Sequence, residues 1–282
     1  MITLEDGRTR VAFDESTGAL TGLSSASGWN VVARPNLGSA YQLLVPLPHR
    51  RNNVVEGVDQ RAPRVERGAT SVAFVWPDVL SEHGGAHEIT VRQEYELIGG
   101  CLLVRTRIDN RSDRVVENVS SPVLGDLRPP TTDGTLTAYR HDYGSGMAQP
   151  MWPRFENSVG YHGVDVPTQL AQGWMAGYGA PAVPYSLLQT DGEGLYVGVD
   201  EPSSELVAWH TELWPGYGDS LEASVPLADE VSGLPVRIRF AAVHVPYIMP
   251  VSHGSSRRFG FSSTKETGTR APTCTPRGVT AG

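Results

Sequence analysis

HEITVRQEYELIGGCLLVRTRIDN, residues 87–110, decides the fold class. In its first half Ile89, Val91, Tyr95 and Leu97 share one parity, and Glu88, Arg92, Glu94 and Glu96 share the other. A period of two belongs to a strand with one face buried and one face wet. Ile98-Gly99-Gly100 supplies a turn, because glycine takes positive φ without strain. The return strand carries Leu102, Val104, Thr106 and Ile108 on one parity, and Arg105 and Arg107 on the other. Two charged outer faces side by side predict cross-strand Glu–Arg pairs, each worth up to about 1 kcal/mol.

Outward from this hairpin the same grammar repeats. Strands are expected at Thr9–Asp14, Leu20–Leu23, Ala40–Pro46, Ser71–Trp76 and Arg114–Ser120, the last running into SPVLGDLRPP. Further strands are expected at Thr135–Arg140, Tyr185–Thr190, Gly194–Val199, Leu206–His210 and Val236–His244. Ser16-Thr17-Gly18 reads as a turn between the first two. Nothing has the period of an amphipathic helix of three turns; Thr168–Met175 is expected to form one helical turn. Many strands separated by turns mean an antiparallel all-β sandwich or barrel. Their number in 282 residues favours a large two-sheet sandwich over one of immunoglobulin size. The 31 glycines and 21 prolines suit so many turns.

Charge excludes some partners. A net charge of −8 and a pI near 5.5, without clustered Lys or Arg, argue against nucleic acid and against an anionic membrane surface. No apolar run reaches the length of a membrane span, and MITLEDGRTR has no basic segment leading into an apolar one, so a cytoplasmic protein is expected. The two cysteines, Cys101 and Cys274, are expected as free thiols; two are too few for a cysteine zinc site, and no metal or cofactor is expected. Arg50-Arg51-Asn52-Asn53 reads as a solvated turn.

Composition changes after Pro250. Residues 251–282 hold no Leu or Ile, show no periodicity, and carry five Arg or Lys against one Glu. Two readings stay open: a disordered basic tail, or a shifted reading frame. In the second, the codons for Lys265 to Gly282, read one frame over, can yield GDWHAGADVYTAWRDS. The chain would then be the N-terminal portion of a longer protein, with a folded domain over residues 1–250 and an aberrant segment over 251–282.

Four of the six tryptophans lie between Trp152 and Trp214, among glycines, prolines and tyrosines. An indole offers a flat apolar face to the C–H face of a pyranose, and nearby Asp, Glu, His and Asn can bond its hydroxyls. The alternative is that these aromatics pack the core and loops. Carbohydrate-binding candidates are Trp152, Tyr161, His162, Asp165, Trp174, Asp200 and Trp214. His141 and His162 stand in Gly/Tyr-rich stretches read as loops, whereas His87 and His244 read as structural or surface residues. Asp200 either caps a turn or binds a hydroxyl. Trp209 and His210 alternate along a strand, so only one of them can face a ligand. Trp214 is read as the start of a loop, Trp214-Pro215-Gly216-Tyr217-Gly218. Glu156, Asp165, Asp200 and Glu201 could supply the paired carboxylates of glycoside hydrolysis, but acidic residues are too common for that pairing to carry weight. No nucleophile elbow, phosphate loop, dinucleotide fingerprint or zinc-protease motif is present.

FDESTGALTGLSS (13–25), SPVLGDL (121–127), QGWMAGYG (172–179), GEGLYVGVDE (192–201) and HVPYIMP (244–250) resemble a bacterial family of large glycoside-hydrolase-like proteins. In that family a galactose-mutarotase-like β-supersandwich precedes a TIM barrel. Where the family commonly has a Tyr-Pro-Gly-like turn and Met-Gln-Trp, this chain has Val166-Pro167-Thr168 and Gln172-Gly173-Trp174. The resemblance implies an all-β antiparallel two-sheet supersandwich with very little helix. It also implies that the Trp174 loop lies toward a following catalytic domain, with the catalytic carboxylates on a barrel missing from this chain. Three functions are therefore expected in order: a carbohydrate-binding and scaffold domain, a self-contained mutarotase or epimerase using His and Glu, and a non-catalytic packing module.

Overall fold

The computed structural model describes residues 1–32, 37–131, 133–142, 145–152, 185–198, 207–214 and 237–250. In chain order the strands are β1 (Ile2–Glu5), β2 (Thr9–Phe13), β3 (Leu20–Ser25), β4 (Gln42–Leu44), β5 (Val54–Glu56), β6 (Arg64–Arg67), β7 (Ser71–Trp76), β8 (Val79–Ser81) and β9 (Gly85–His87). They continue with β10 (Ile89–Ile98), β11 (Cys101–Asn110), β12 (Asn118–Gly125), β13 (Leu136–Asp142), β14 (Ser145–Trp152), β15 (Tyr185–Gln189), β16 (Gly194–Gly198), β17 (Val207–Trp214) and β18 (Arg237–His244). A 3-10 turn, Gly57–Asp59, follows β5. The all-β antiparallel expectation holds. Within the sandwich the described strands fall into five hydrogen-bonded sheets, ordered β1-β2-β3, β11-β10-β7-β6, β17-β18-β12-β4-β5, β14-β13-β15-β16 and β8-β9. Strands β1, β5, β6, β8, β9 and β14 are additions to the sequence reading. Most have only three or four residues, too few for a period of two to show.

The 87–110 stretch forms the hairpin its pattern demands. Every residue from Ile89 to Ile98 pairs with one from Asn110 to Cys101, and Gly99 and Gly100 make the two-residue turn at φ 60° and 88°. Glu94 stands directly opposite Arg105, but Arg105 makes its shortest contact diagonally, with Glu96 at 2.7 Å. Arg92 reaches across to Glu66 of β6 at 2.6 Å. The pairs are present on the wet face, redirected by strand twist and side-chain reach.

One pair of residues breaks the apolar parity. Gln93 and Thr106 face inward and are fully buried, directly opposite each other. Ser121 of β12 meets them: Gln93 Nε2 donates to Ser121 Oγ at 2.7 Å, and Thr106 Oγ1 donates to Gln93 Oε1 at 2.7 Å. The three groups satisfy one another where water is absent, and so fasten one sheet to the next.

Around this knot lies one continuous apolar core, fed by strands of the four larger sheets. Its densest part is aromatic. Phe13 lies 4.5 Å from Tyr95, and Tyr41 packs edge-on against Trp76 at 4.9 Å. Offset and edge contacts of this kind are the favoured aromatic geometries.

Two sequence expectations are corrected. Cys101 is disulfide-bonded, not a free thiol; pairing depends on proximity in space, which sequence separation conceals. Cys274 lies outside the described residues. In the Arg50–Asn53 turn, Asn53 is buried, not solvated. Its Nδ2 donates to the Val45 carbonyl at 2.8 Å, and its Oδ1 accepts from Ser81 at 2.7 Å. Among the described residues, no helix is long and apolar enough to cross a membrane.

The turn between β1 and β2 is stapled to the hairpin turn. Asp6 accepts hydrogen bonds from the backbone N–H groups of Arg8 and Thr9, at 3.0 Å each, and from Gly100. Burial pushes its carboxyl up, but the N–H groups of Thr9, Gly100 and Arg8 outweigh burial and hold it below the usual carboxylate range. A depressed folded-state pKa gives stability that is present above the unfolded value and lost as pH falls through the folded one. Asp6→Ala is therefore expected to lose about 1 kcal/mol at pH 7, discounted for exposure. In urea melts the gap from wild type should shrink between roughly pH 4 and pH 2.

Candidate functional site

The five-stranded sheet has one face on the core and one turned away. Leu43, Val55, Trp209 and Phe240 belong to the core. Their neighbours in sequence, Gln42, Glu56, His210 and Arg239, therefore stand on the opposite face. Register brings them together across the sheet. Gln42 pairs with Glu56 on one side and with Ser120 on the other, His210 pairs with Ala241, and Arg239 pairs with Gly125.

The side chains form a connected polar cluster. Arg239 Nη2 lies 3.0 Å from both Glu56 carboxylate oxygens, and Gln42 Nε2 donates to Glu56 Oε1 at 2.6 Å. The guanidinium is 13% exposed and the carboxylate 22%. At that depth the charge-assisted bonds are stronger than surface pairs. Ser120 Oγ lies 3.5 Å from Gln42 Oε1, at the limit of a hydrogen bond. Gln42, His210 and Arg239 gather over buried Val123 and Ala241 in a shallow depression that encloses no room for a water molecule.

The surrounding backbone holds the cluster in place. Gly57 N donates to the Tyr41 carbonyl at 2.8 Å. A Cβ on Gly57 would lie 3.1 Å from Ser39 Oγ and from Tyr41 N and O, so this close approach favours glycine right after Glu56. Gln60 Nε2 donates to the carbonyls of Glu56 and Leu80, at 2.9 and 3.0 Å. On the other side, buried Asp126 accepts from Ile238 N at 2.9 Å and from Arg128 Nη1 at 2.7 Å, which sets β18 against the end of β12 beside Arg239.

The predicted site residues fare differently. Tyr161, His162, Asp165, Trp174 and Asp200 lie outside the described residues, as do Glu156, Glu201 and the helical turn expected at Thr168–Met175. Trp152 closes β14 opposite Leu136. Trp214 closes β17 opposite Arg237 and is not a loop residue, because β17 pairs with β18 along its full eight residues. His141 lies in β13 opposite Gly146 of β14, not in a loop. Of the alternating pair, Trp209 is buried and stacks on Phe240 at 6.4 Å, so His210 is the residue turned toward the depression. His87 and His244 are structural. Burial pushes both imidazoles down, His244 to about 3, and both are uncharged near neutral pH.

Gln42, Glu56, Ser120 and Arg239 were not anticipated. A signal did exist for one of them. In RIRFAAVH, Arg239 stands between core residues Ile238 and Phe240, with only Ala241 and Val243 after it on its own parity. A charge in mid-strand among small residues marks a face with its own task.

No protein-family model matches the chain, and no curated protein matches it in sequence. Solved structures do. The chain is similar to a galactose mutarotase related enzyme from Lactobacillus acidophilus, at 14% identity and a TM-score of 0.50, over 95% of this chain and 98% of that one. A galactose mutarotase-like protein from Lactobacillus casei aligns at 13% identity and a TM-score of 0.48, over 93% and 99%. At such identities the likeness speaks to the fold alone: an all-β, galactose-mutarotase-like sandwich.

Proposed function

We propose that this chain binds a carbohydrate on the outward face of its five-stranded sheet. The observation that carries the reading is the gathering of planar polar side chains, Gln42, His210 and Arg239, on that face over buried Val123 and Ala241. A pyranose presents a hydroxyl edge, and such planar donors and acceptors suit it. A sugar ligand also agrees with the galactose-mutarotase-like fold. From the sequence, Trp152, Tyr161, His162, Asp165, Trp174, Asp200 and Trp214 enter the proposal as further contacts. In its finer form, drawn from the family resemblance, the proposal has a longer protein in which this face positions a glycan beside a glycoside-hydrolase-type barrel.

A second reading has its own observation. His210 lines the depression and Glu56 is bonded to two other lining residues, Gln42 and Arg239, so a histidine and a carboxylate that could serve aldose anomerisation share one sheet face. The two readings separate on turnover. Polarimetry on freshly dissolved α-anomers should show acceleration under the second and none under the first.

The binding test is a calorimetric titration with a panel of hexoses and oligosaccharides. His210→Ala is expected to weaken binding by about tenfold, the loss of one good hydrogen bond, with an unchanged melting curve. In the same titration Trp174→Ala should lose affinity without losing stability. If every sugar gives no heat, or if both variants bind as wild type does, the proposal fails.

A further inference from the structure

We infer that Glu56 is a selectivity residue: it cancels the charge of Arg239, so the site admits uncharged sugars and turns away sugar phosphates and uronates. The inference rests on the carbohydrate reading above. Arginine on a binding rim ordinarily invites an anion, because its planar fork matches carboxylate and phosphate. Here one nitrogen of the fork already serves both oxygens of a carboxylate, at 3.0 Å each. The pair is largely shielded from solvent, where opposite charges attract strongly and an intruding anion would have to displace Glu56. Gln42 adds a third hydrogen bond to the same carboxylate at 2.6 Å, fixing its position. Gln42 and Ser120 are neutral, and the chain as a whole carries −8. The described parts of the site hold no surplus positive charge with which to bind an anion.

The experiment compares a hexose, its 6-phosphate and the matching hexuronate on wild type and Glu56→Gln, by calorimetry at pH 8, where a histidine of ordinary pKa is neutral. Glutamine keeps the shape and a hydrogen-bonding oxygen but removes the charge. Wild type is expected to bind the hexose at least tenfold more tightly than either anion. Glu56→Gln is expected to gain at least tenfold for the anions, and that gain should fade as salt rises. A melting curve establishes that the variant is folded. If wild type binds either anion as tightly as the hexose, or if folded Glu56→Gln gains nothing for anions, the inference is overturned while the carbohydrate reading stands. If wild type binds none of the three, the carbohydrate reading falls and takes this inference with it. Should Glu56→Gln fail to fold, the wild-type comparison alone decides.

Discussion

Gly18→Ala is expected to lower the free energy of unfolding by about 3 kcal/mol, with two separable parts. Gly18 sits at φ 66°, in the left-handed region, where a Cβ costs about 1 kcal/mol. A Cβ there would also lie 2.8 and 3.0 Å from the Trp76 ring and 3.1 Å from Phe74. Those rings cannot move aside, because Trp76 is wedged against Tyr41 and Phe74 packs on Phe13 and Tyr95. Overpacking a rigid core costs about 1–3 kcal/mol more. The turn is otherwise well specified: Asp14 accepts from Ser16 N at 2.7 Å and from Thr17 N at 3.0 Å. Gly7 supplies the control. It has φ 81°, and a Cβ added there would meet nothing within 4 Å, so Gly7→Ala should show the backbone part alone, about 1 kcal/mol. Urea unfolding of the two variants checks this; equal losses would show that the aromatic wall yields.

Arg239→Ala is the second large effect, and it is read in binding. The substitution removes the rim donor and leaves the Glu56 carboxylate with Gln42 as its remaining partner in the cluster. Truncating one member of a shielded, hydrogen-bonded charge pair costs about 2–5 kcal/mol. Within one chain that cost falls on stability, and sugar affinity is expected to fall by about tenfold, the loss of one hydrogen bond to the ligand. Arg239→Lys should recover part of that loss, since it restores charge but not the planar fork. Arg105→Ala is the comparison: that arginine lies in the hairpin's wet charge ladder, and its loss should leave affinity unchanged. Sugar binding by Arg239→Ala within about threefold of wild type would remove this cluster from the site.

Legibility followed the kind of signal. The hairpin could be read because its alternation runs for ten residues in each strand, long enough for parity to be unmistakable. Short strands such as β5, with three residues, carry no parity of their own, so nothing in the sequence marked Glu56. The aromatics drew attention because Trp is rare and chemically distinctive. Yet Trp209 belongs to the core, stacked on Phe240, and it is the neighbouring His210 that turns outward. Gln93 shows the same limit from the other side: a polar residue on an inward parity has meaning only once Thr106 and Ser121 are seen to meet it.

By itself the sequence determined the all-β class, the register of the central hairpin, the turns at Gly18 and Gly99–Gly100, and the net charge of −8. Each of these depends on local periodicity, glycine conformation or summed charge, which neighbouring residues express without help from the rest of the chain. Only the tertiary structure decided that Gln42, Glu56, Ser120, His210 and Arg239 share one face, and that Cys101 is bonded. Glu56 and Arg239 lie 183 positions apart. They meet because β18 and β4 both pair with β12, and β5 pairs with β4. Sheet order of that kind is set by the burial of a common core rather than by any local pattern around the residues it joins.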